Sequence, residues 1–448
     1  MGRKSHSQAL GLWMNGEFVG TWSITPHGET LQYANGWVEH EAGRPLSRSL
    51  PFRPGNQVYN GAVVDAYFEN LLPDSKEIRD RVARRYKTAS TGAFDLLSEI
   101  GRDCVGALQM APLDSAPAKP GPVEAIPLND SEVAQVLRTA VTPPGQLGAH
   151  DDDDDDFRIS IAGAQEKTAL LFYQGRWQKP RGPTPTSHIL KLPLGLVGNM
   201  RADMSSSVEN EWLCALILKA YGLPVAACEP VCFEDMKALA VERFDRRWDG
   251  ECLLRLPQED MCQATGTPPG LKYENDGGPG VDRIMGLLQG SSNRNLDRLV
   301  FFQAQVVFWM LCATDGHAKN FSIFLRPRDA FAMTPLYDVL SAYPILGNGA
   351  NQLSPHKAKM AMAVRSTNVH YKMREILRRH WLAVGQFHGI LTLDGRPVAG
   401  VLDDLIARTP EVIREVSAQL PSDFPEHVAE PIFTGLQAAA RKLEGAQT

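Results

Sequence analysis

The chain has 448 residues, enough for two or three domains and a substantial core. Its 43% hydrophobic and 22% charged residues are the composition of a globular protein. The formal net charge of −6 is matched by the six aspartates of Asp151–Asp156, and the remainder balances at 46 basic residues against as many acidic ones, so no general electrostatic case exists for nucleic acid or membrane binding.

Leu12–Trp22 reads as a β-hairpin turning at Asn15-Gly16, a pair suited to a type I′ turn. Gln32–Trp37 and Ser49–Pro51 suggest further short strands, and Ala62–Leu72 an amphipathic helix. Pro73–Glu77 looks like a helix start, with Asp74 as cap and Glu77 three residues later, the helix running to about Lys87. Phe94–Ile100 gives another short helix, so residues 1–110 make an α+β unit. Residues 111–156 read as a connecting segment, Pro-rich over Pro112–Pro127 and ending in the solvated Asp151–Asp156 run. The seven cysteines form no CxxC pair, and Cys228 and Cys232 lack the His or Cys partners of a zinc site. Their odd number, with no leader segment expected, points to reduced thiols and a cytoplasmic location. No apolar run reaches ~18 residues, so no membrane span is expected.

From Phe157 the texture changes. Arg158–Ile161, Ala169–Tyr173, His188–Leu192 and Ala238–Glu242 read as strands, and Asp203–Tyr221 as a helix. After Leu256 the chain reads as mostly loop, then as helical from Gly280 onward. Leu299–Cys312 is apolar enough for a buried helix. Two short strands follow, Phe321–Leu325 and the stretch from Phe331 to Leu336, turning at Arg326–Asp329.

Asp315-Gly316-His317-Ala318-Lys319-Asn320 lies between that buried helix and that hairpin, and Asp338 lies just past the hairpin. In protein kinases a D-x-x-x-x-N loop carries a catalytic-base Asp and a metal-binding Asn, and a second Asp follows to hold the metals. Spacing alone is weak, since Asp65 and Asn70 share it inside an ordinary helix. The order of elements adds to it. Ser160–Thr168, between two candidate strands, could fold backbone N–H groups over phosphates, although it is not a Walker A loop. Lys191 sits in mid-strand among apolar residues and suits a phosphate, with Glu211 or Glu209 on the following helix as its acid. Glu242–Phe244 ends a strand where a nucleotide-binding hinge would lie. Phosphate loop, strand lysine, helix acid, hinge, D-x-x-x-x-N and metal Asp run in the chain order of a kinase.

Arg158–Leu171, His188–Pro193 (HILKLP), Ala240–Trp248 (AVERFDRRW), Leu254–Gln263 (LRLPQEDMCQ), Lys272–Gly280 (KYENDGGPG), Ala313–Ser322 (ATDGHAKNFS) and Leu336–Pro344 (LYDVLSAYP) closely resemble the HipA family. These are the serine/threonine-protein kinase toxins of HipBA toxin–antitoxin modules. The resemblance implies a two-lobed protein kinase-like α+β fold with an added N-terminal subdomain: a β-rich lobe over residues 157–250 and a larger helical lobe over 251–448. It implies Asp315 as general base and Asn320 and Asp338 as Mg²⁺ ligands. Ala162, Gly163, Ala164, Gln165, Glu166, Lys167, Lys191, Glu242, Arg243, Phe244, His317, Ala318, Lys319, Asn320, Tyr337 and Asp338 would line the ATP site. Ser160 would be a self-silencing autophosphorylation site. The implied substrate is glutamate–tRNA ligase. The implied partners are a dimeric HipB-type helix-turn-helix antitoxin and, through it, operator DNA. An alternative makes the chain mainly a corepressor, using basic clusters at Arg79–Lys87 and Lys372–His380. Unlike ordinary kinases, the chain has no His-Arg before Asp315 and Val-Leu, not Phe-Gly, after Asp338.

Overall fold

Asn15 and Gly16 both take positive φ, 48° and 82°, and close the hairpin between strands Gln8–Met14 and Glu17–Thr25, as the Asn-Gly pair predicts. The computed structural model describes residues 8–141, 160–163, 165–198 and 200–445. The acidic run Asp151–Asp156 and the expected phosphate-loop residue Ala164 lie outside the described residues. The chain divides into two units. One is formed by Met1–Leu192, Val231–Gly270 and Ser322–Phe331, the other by Pro193–Pro230, Leu271–Phe321 and Ala332–Thr448.

In the first unit an antiparallel sheet has the strand order Tyr59–Asn60, Gly28–Tyr33, Glu17–Thr25, Gln8–Met14, Leu108–Pro112. Its buried face meets helices Ala62–Glu69 and Ala93–Ile100 around Leu12, Trp22, Leu31, Phe68 and Leu97. Trp22 stacks on Phe68 with ring centroids 3.7 Å apart, and full burial of a side chain such as Phe68 contributes about 2 kcal/mol. Three local expectations are corrected. The strand expected over Gln32–Trp37 ends at Tyr33, and Asn35–Val38 is a helical turn. Ser49–Pro51 is a turn, because the Ser47 hydroxyl accepts from the Ser49 amide. Ser75, not Asp74, caps helix Lys76–Tyr86: its hydroxyl accepts from the Ile78 amide at 3.3 Å, and Lys87 ends the helix with a left-handed φ of 52°.

A second sheet in this unit runs in the order Met236–Glu242, His188–Lys191, Lys167–Tyr173, Arg176–Pro180, Ala125–Pro127, with Cys228–Phe233 beyond the first of these. Helix Asp130–Val141 covers it, burying Val133, Ala134 and Leu137 against Leu170, Leu190 and Ala238. Residues 125–141 are therefore part of the sheet body. The one-sided helical spacing of those three residues was masked by the prolines before them. Ser160 and Ile161 are not in a strand.

The second unit is mainly helical: Ser207–Ala220, Val281–Leu288, Arg294–Met310, Arg378–Phe387, Val398–Ser417 and Glu426–Glu444. The helix expected from Asp203 begins later, at Ser207, and Ala202–Met204 instead pairs as a strand with Gly195–Val197. Helix Arg294–Met310 is buried almost all round, as its apolar run predicts. The chain is not helical throughout after Gly280: Lys359–Arg365 and Val369–Lys372 form a second hairpin. Met360 to Val364 are buried in succession, so the strand lacks the alternation by which strands are recognised. Among the described residues no helix is long and apolar enough to cross a membrane.

Candidate active site

The loop Asp315–Asn320 begins where helix Arg294–Met310 stops. Cys312 turns left-handed at φ 52°, and the Ala313 amide returns to the Phe308 carbonyl at 2.8 Å. Gly316 lies against the Phe308 ring so closely that a Cβ would meet it at 2.6 Å. The loop then closes on itself: the His317 amide donates to the Asp315 carbonyl at 2.8 Å, and the Asn320 amide to the His317 carbonyl at 2.9 Å. His317, Ala318, Lys319 and Asn320 are all buried. The Asp315 side chain stands out at 61% exposure. The Tyr273 hydroxyl donates to its Oδ1, and His317 Nε2 lies 3.9 Å from the same oxygen.

Strands Ser322–Leu325 and Phe331–Met333 lead on to Asp338. Asn320 Nδ2 donates to the Asp338 carbonyl at 3.0 Å, and the Tyr337 hydroxyl to the Lys319 carbonyl at 2.8 Å. Asp338 itself is left-handed, at φ 60°. Behind it, Ser341 is bound twice by Asn210, through its carbonyl and its amide at 2.8 Å each, and its hydroxyl donates to the Leu311 carbonyl at 2.6 Å. The helical unit thus brings Asp315, His317–Asn320, Tyr337 and Asp338 together. The Asn320 amide donates through its nitrogen; its oxygen and the Asp338 carboxylate are hard oxygen donors of the kind Mg²⁺ takes. These residues fit the ion. Glu209 and Glu211 are both buried on helix Ser207–Ala220, so burial does not choose between them.

In the sheet-bearing unit the Ser160 side chain is fully buried. Its hydroxyl donates to the Leu71 carbonyl at 2.7 Å and its amide to the Asp103 carbonyl at 3.2 Å. Gly163, at φ 113°, accepts from the Asp74 amide at 3.0 Å. Glu166 pairs with Arg81, and its carbonyl takes the Leu192 amide at 3.0 Å, while Gln165 Nε2 donates to the Leu192 carbonyl. Ala162 lies beside Gly163, half-buried. Lys167 stands directly opposite Lys191 in the antiparallel register, which puts two ammonium stems on one face. A dianionic phosphate group suits such a pair.

Glu242 ends its strand exposed, opposite His188, and Phe244 meets Phe324 edge to face at 5.8 Å. The Arg243 side chain turns into the protein, so only its backbone is left to line the expected hinge. It is 1% exposed, with its donors spent on Asp103, Asp245, Thr186 and the Cys104 carbonyl. The same Asp103 carboxylate also takes Arg246 at 2.9 Å, Arg255 at 3.0 Å and the Thr186 hydroxyl at 2.7 Å. Burial works to raise the Asp103 carboxyl, but the three guanidiniums outweigh it and hold it below the usual carboxylate range. Two site-shaping residues were not foreseen, Tyr273 and Asp103. Tyr273 could have been found by asking what the KYENDGGPG segment is for.

The chain matches the model of the HipA N-terminal domain over residues 10–111 and that of the HipA-like C-terminal domain over residues 159–413. It is 32% identical to the protein Y4mE of Sinorhizobium fredii over 419 residues, 92% of this chain and 93% of that one. It is 29% identical to the serine/threonine-protein kinase toxin HipA of Shewanella oneidensis over 346 residues, 74% of each. The solved structure of the Shewanella oneidensis HipA, HipB and operator DNA complex matches over 97% of both chains, with a TM-score of 0.76 and 23% identity. The mixed α and β, kinase-like fold is therefore that of HipA, and the chain belongs to the HipA family of toxin kinases.

Proposed function

We propose that this protein is a serine/threonine protein kinase toxin that uses ATP. The carrying observation is the loop Asp315–Asn320, closed by its own backbone hydrogen bonds while presenting one exposed carboxylate, Asp315, beside the Asn320–Asp338 pair. Asp315 accepts the proton of a serine or threonine hydroxyl. The oxygen attacks the γ-phosphorus, the bond from γ-phosphorus to the β–γ bridging oxygen breaks, and ADP leaves with that electron pair. Mg²⁺, held by the Asn320 amide oxygen and the Asp338 carboxylate, would offset charge on the phosphates. Lys167 and Lys191 contact phosphate oxygens, and the Glu242–Phe244 backbone takes the adenine.

The proposal extends to regulation and partners. Ser160 is the self-modification site. Its hydroxyl lies against a carbonyl in a buried position, so a phosphate there would meet an acceptor where it needs donors, and the loop could not return. The substrate is glutamate–tRNA ligase, whose loss arrests translation in the cytoplasm. The partners are a HipB-type antitoxin dimer and its operator DNA, the assembly found for the Shewanella oneidensis protein.

The test is intact mass and peptide mapping after incubation of dephosphorylated protein with Mg²⁺-ATP, alongside Asp315→Asn. One phosphoryl group at Ser160, absent from the variant, is expected. A base assignment to Asp315 fails if the variant transfers at more than about a hundredth of the wild-type rate. No transfer by the wild type to itself or to glutamate–tRNA ligase sinks the kinase reading.

A further inference from the structure

The segment Lys272–Gly280 has no part in the transfer described above, yet it is built with care into the helical unit. Glu274 fastens it to strand Lys359–Arg365, accepting from the Ala363 amide at 2.6 Å and from Arg365 Nε at 3.0 Å. Two glycines make room for this. A Cβ at Gly280 would lie 2.1 Å from the Glu274 carboxyl carbon, and one at Gly278 would lie 2.0 Å from the Leu271 carbonyl oxygen. At the other side of Tyr273, the Lys272 carbonyl accepts from the Ala318 amide at 3.3 Å, inside the catalytic loop. Tyr273 is thus held from both flanks. Its ring stands edge to face on His317, 5.0 Å between centroids at 86°, and its hydroxyl donates to Asp315 Oδ1.

We propose that Tyr273 is the positioning residue of the catalytic carboxylate, a role that rests on the kinase reading. An aspartate side chain that is 61% exposed rotates among several staggered orientations unless something holds it. The Tyr273 hydroxyl holds Oδ1, so that Oδ2 is the oxygen turned to the incoming serine or threonine hydroxyl. A phenol suits this task because it remains a neutral donor throughout the physiological range. It can orient the base without taking its proton, and it adds no charge that would compete with the phosphates.

The experiment measures initial rates of self-phosphorylation against Mg²⁺-ATP concentration for wild type, Tyr273→Phe and Tyr273→Ala. Binding of a fluorescent ATP analogue and the unfolding midpoint are measured in parallel. Phenylalanine keeps the ring on His317 and removes only the hydroxyl. A loss of about tenfold in kcat is expected for Tyr273→Phe, the size of one hydrogen bond to a charged group, with KM for ATP and analogue affinity unchanged. Tyr273→Ala should lose at least as much. Full activity in Tyr273→Phe with loss only in Tyr273→Ala would assign the ring a packing role and overturn the proposal. A rise in KM with kcat intact would overturn it too. A wild-type chain that transfers no phosphate overturns the kinase reading, and this inference with it.

Discussion

The Asp315 carboxylate is 61% exposed on a loop closed by its own backbone bonds, whereas the Ser160 hydroxyl is wholly buried and bound to the carbonyl of Leu71, 89 residues away in sequence. The first region is local in construction. Its fixed points, Cys312, Gly316, His317 and Asn320, lie within nine residues of one another, and Tyr337 and Ser341 follow after one hairpin. The second region is assembled from distant pieces: Leu71, Asp74 and Arg81 from the N-terminal elements, Asp103 from the loop after them, Leu192 from the next strand. The carboxylate proposed as the base is open to an incoming hydroxyl. The serine proposed for self-modification is kept out of reach of solvent. The contrast teaches that the N-terminal elements supply the seat that Ser160 occupies, which in the proposed function makes them part of the switch.

The largest disturbance of that seat should come from Asp103→Asn. Arg243, Arg246 and Arg255 then face one another with a neutral amide in place of the carboxylate, and Asp245 alone offsets them within this group. Removing one partner from a buried ion cluster costs about 3–5 kcal/mol. Denaturant unfolding should show a loss of that size. A loss below about 1 kcal/mol would mean that the cluster is not what carries the loop, and the contrast drawn above would weaken.

A second, somewhat smaller effect separates the two regions by pH. Glu259 is fully buried in the sheet-bearing unit and accepts from the Arg48 amide at 2.8 Å. Burial, reinforced by the charge of Asp260, pushes its carboxyl up from 4.5 to about 8, with Ser47 and Arg48 pulling partly against it. A raised carboxyl keeps its proton in the folded state. Its stabilisation is therefore complete below pH 4.5 and is lost as the pH climbs through 8. By pH 7 the loss is about 3 kcal/mol. Glu259→Gln, which stays neutral, should flatten the fall in stability between those limits and raise the unfolding midpoint at pH 7. An unchanged pH slope would show that Glu259 ionises freely in the fold.

The local region was readable in the sequence and the assembled one was not, for physical reasons. A buried helix, a polar loop with Asp315 and Asn320, a hairpin and Asp338 are consecutive, so hydrophobic pattern and spacing reveal them. The Asn15-Gly16 turn was legible for the same reason. Ser160 was located only through resemblance, and nothing in its neighbourhood announces that Leu71 and Asp103 enclose it. The direction of the Arg243 side chain was not legible either, because its partner Asp103 lies 140 residues away in sequence. Tyr273 stayed hidden because a tyrosine between Lys272 and Glu274 reads as an ordinary loop residue until its hydroxyl is found on Asp315.

The smallest structural effect is expected at Ser160 itself. Ser160→Ala removes one buried hydrogen bond, to the Leu71 carbonyl, which costs about 1 kcal/mol. The loop keeps its amide bond to Asp103 and the Asp74–Gly163 contact, so it should remain seated. The variant should incorporate no phosphate into its own chain and yet phosphorylate glutamate–tRNA ligase at close to the wild-type rate, for longer, since nothing turns it off. Ser160→Asp should do the opposite. A carboxylate at this fully buried position would face the Leu71 carbonyl oxygen, acceptor against acceptor, so the loop must leave its seat and activity should be lost. Because the fold around Asp315 is closed by separate bonds, the unfolding midpoint of the helical unit should not move. A Ser160→Asp protein as active as the wild type would show that an anion can be accommodated in the seat, and the switch would have to lie elsewhere in the chain.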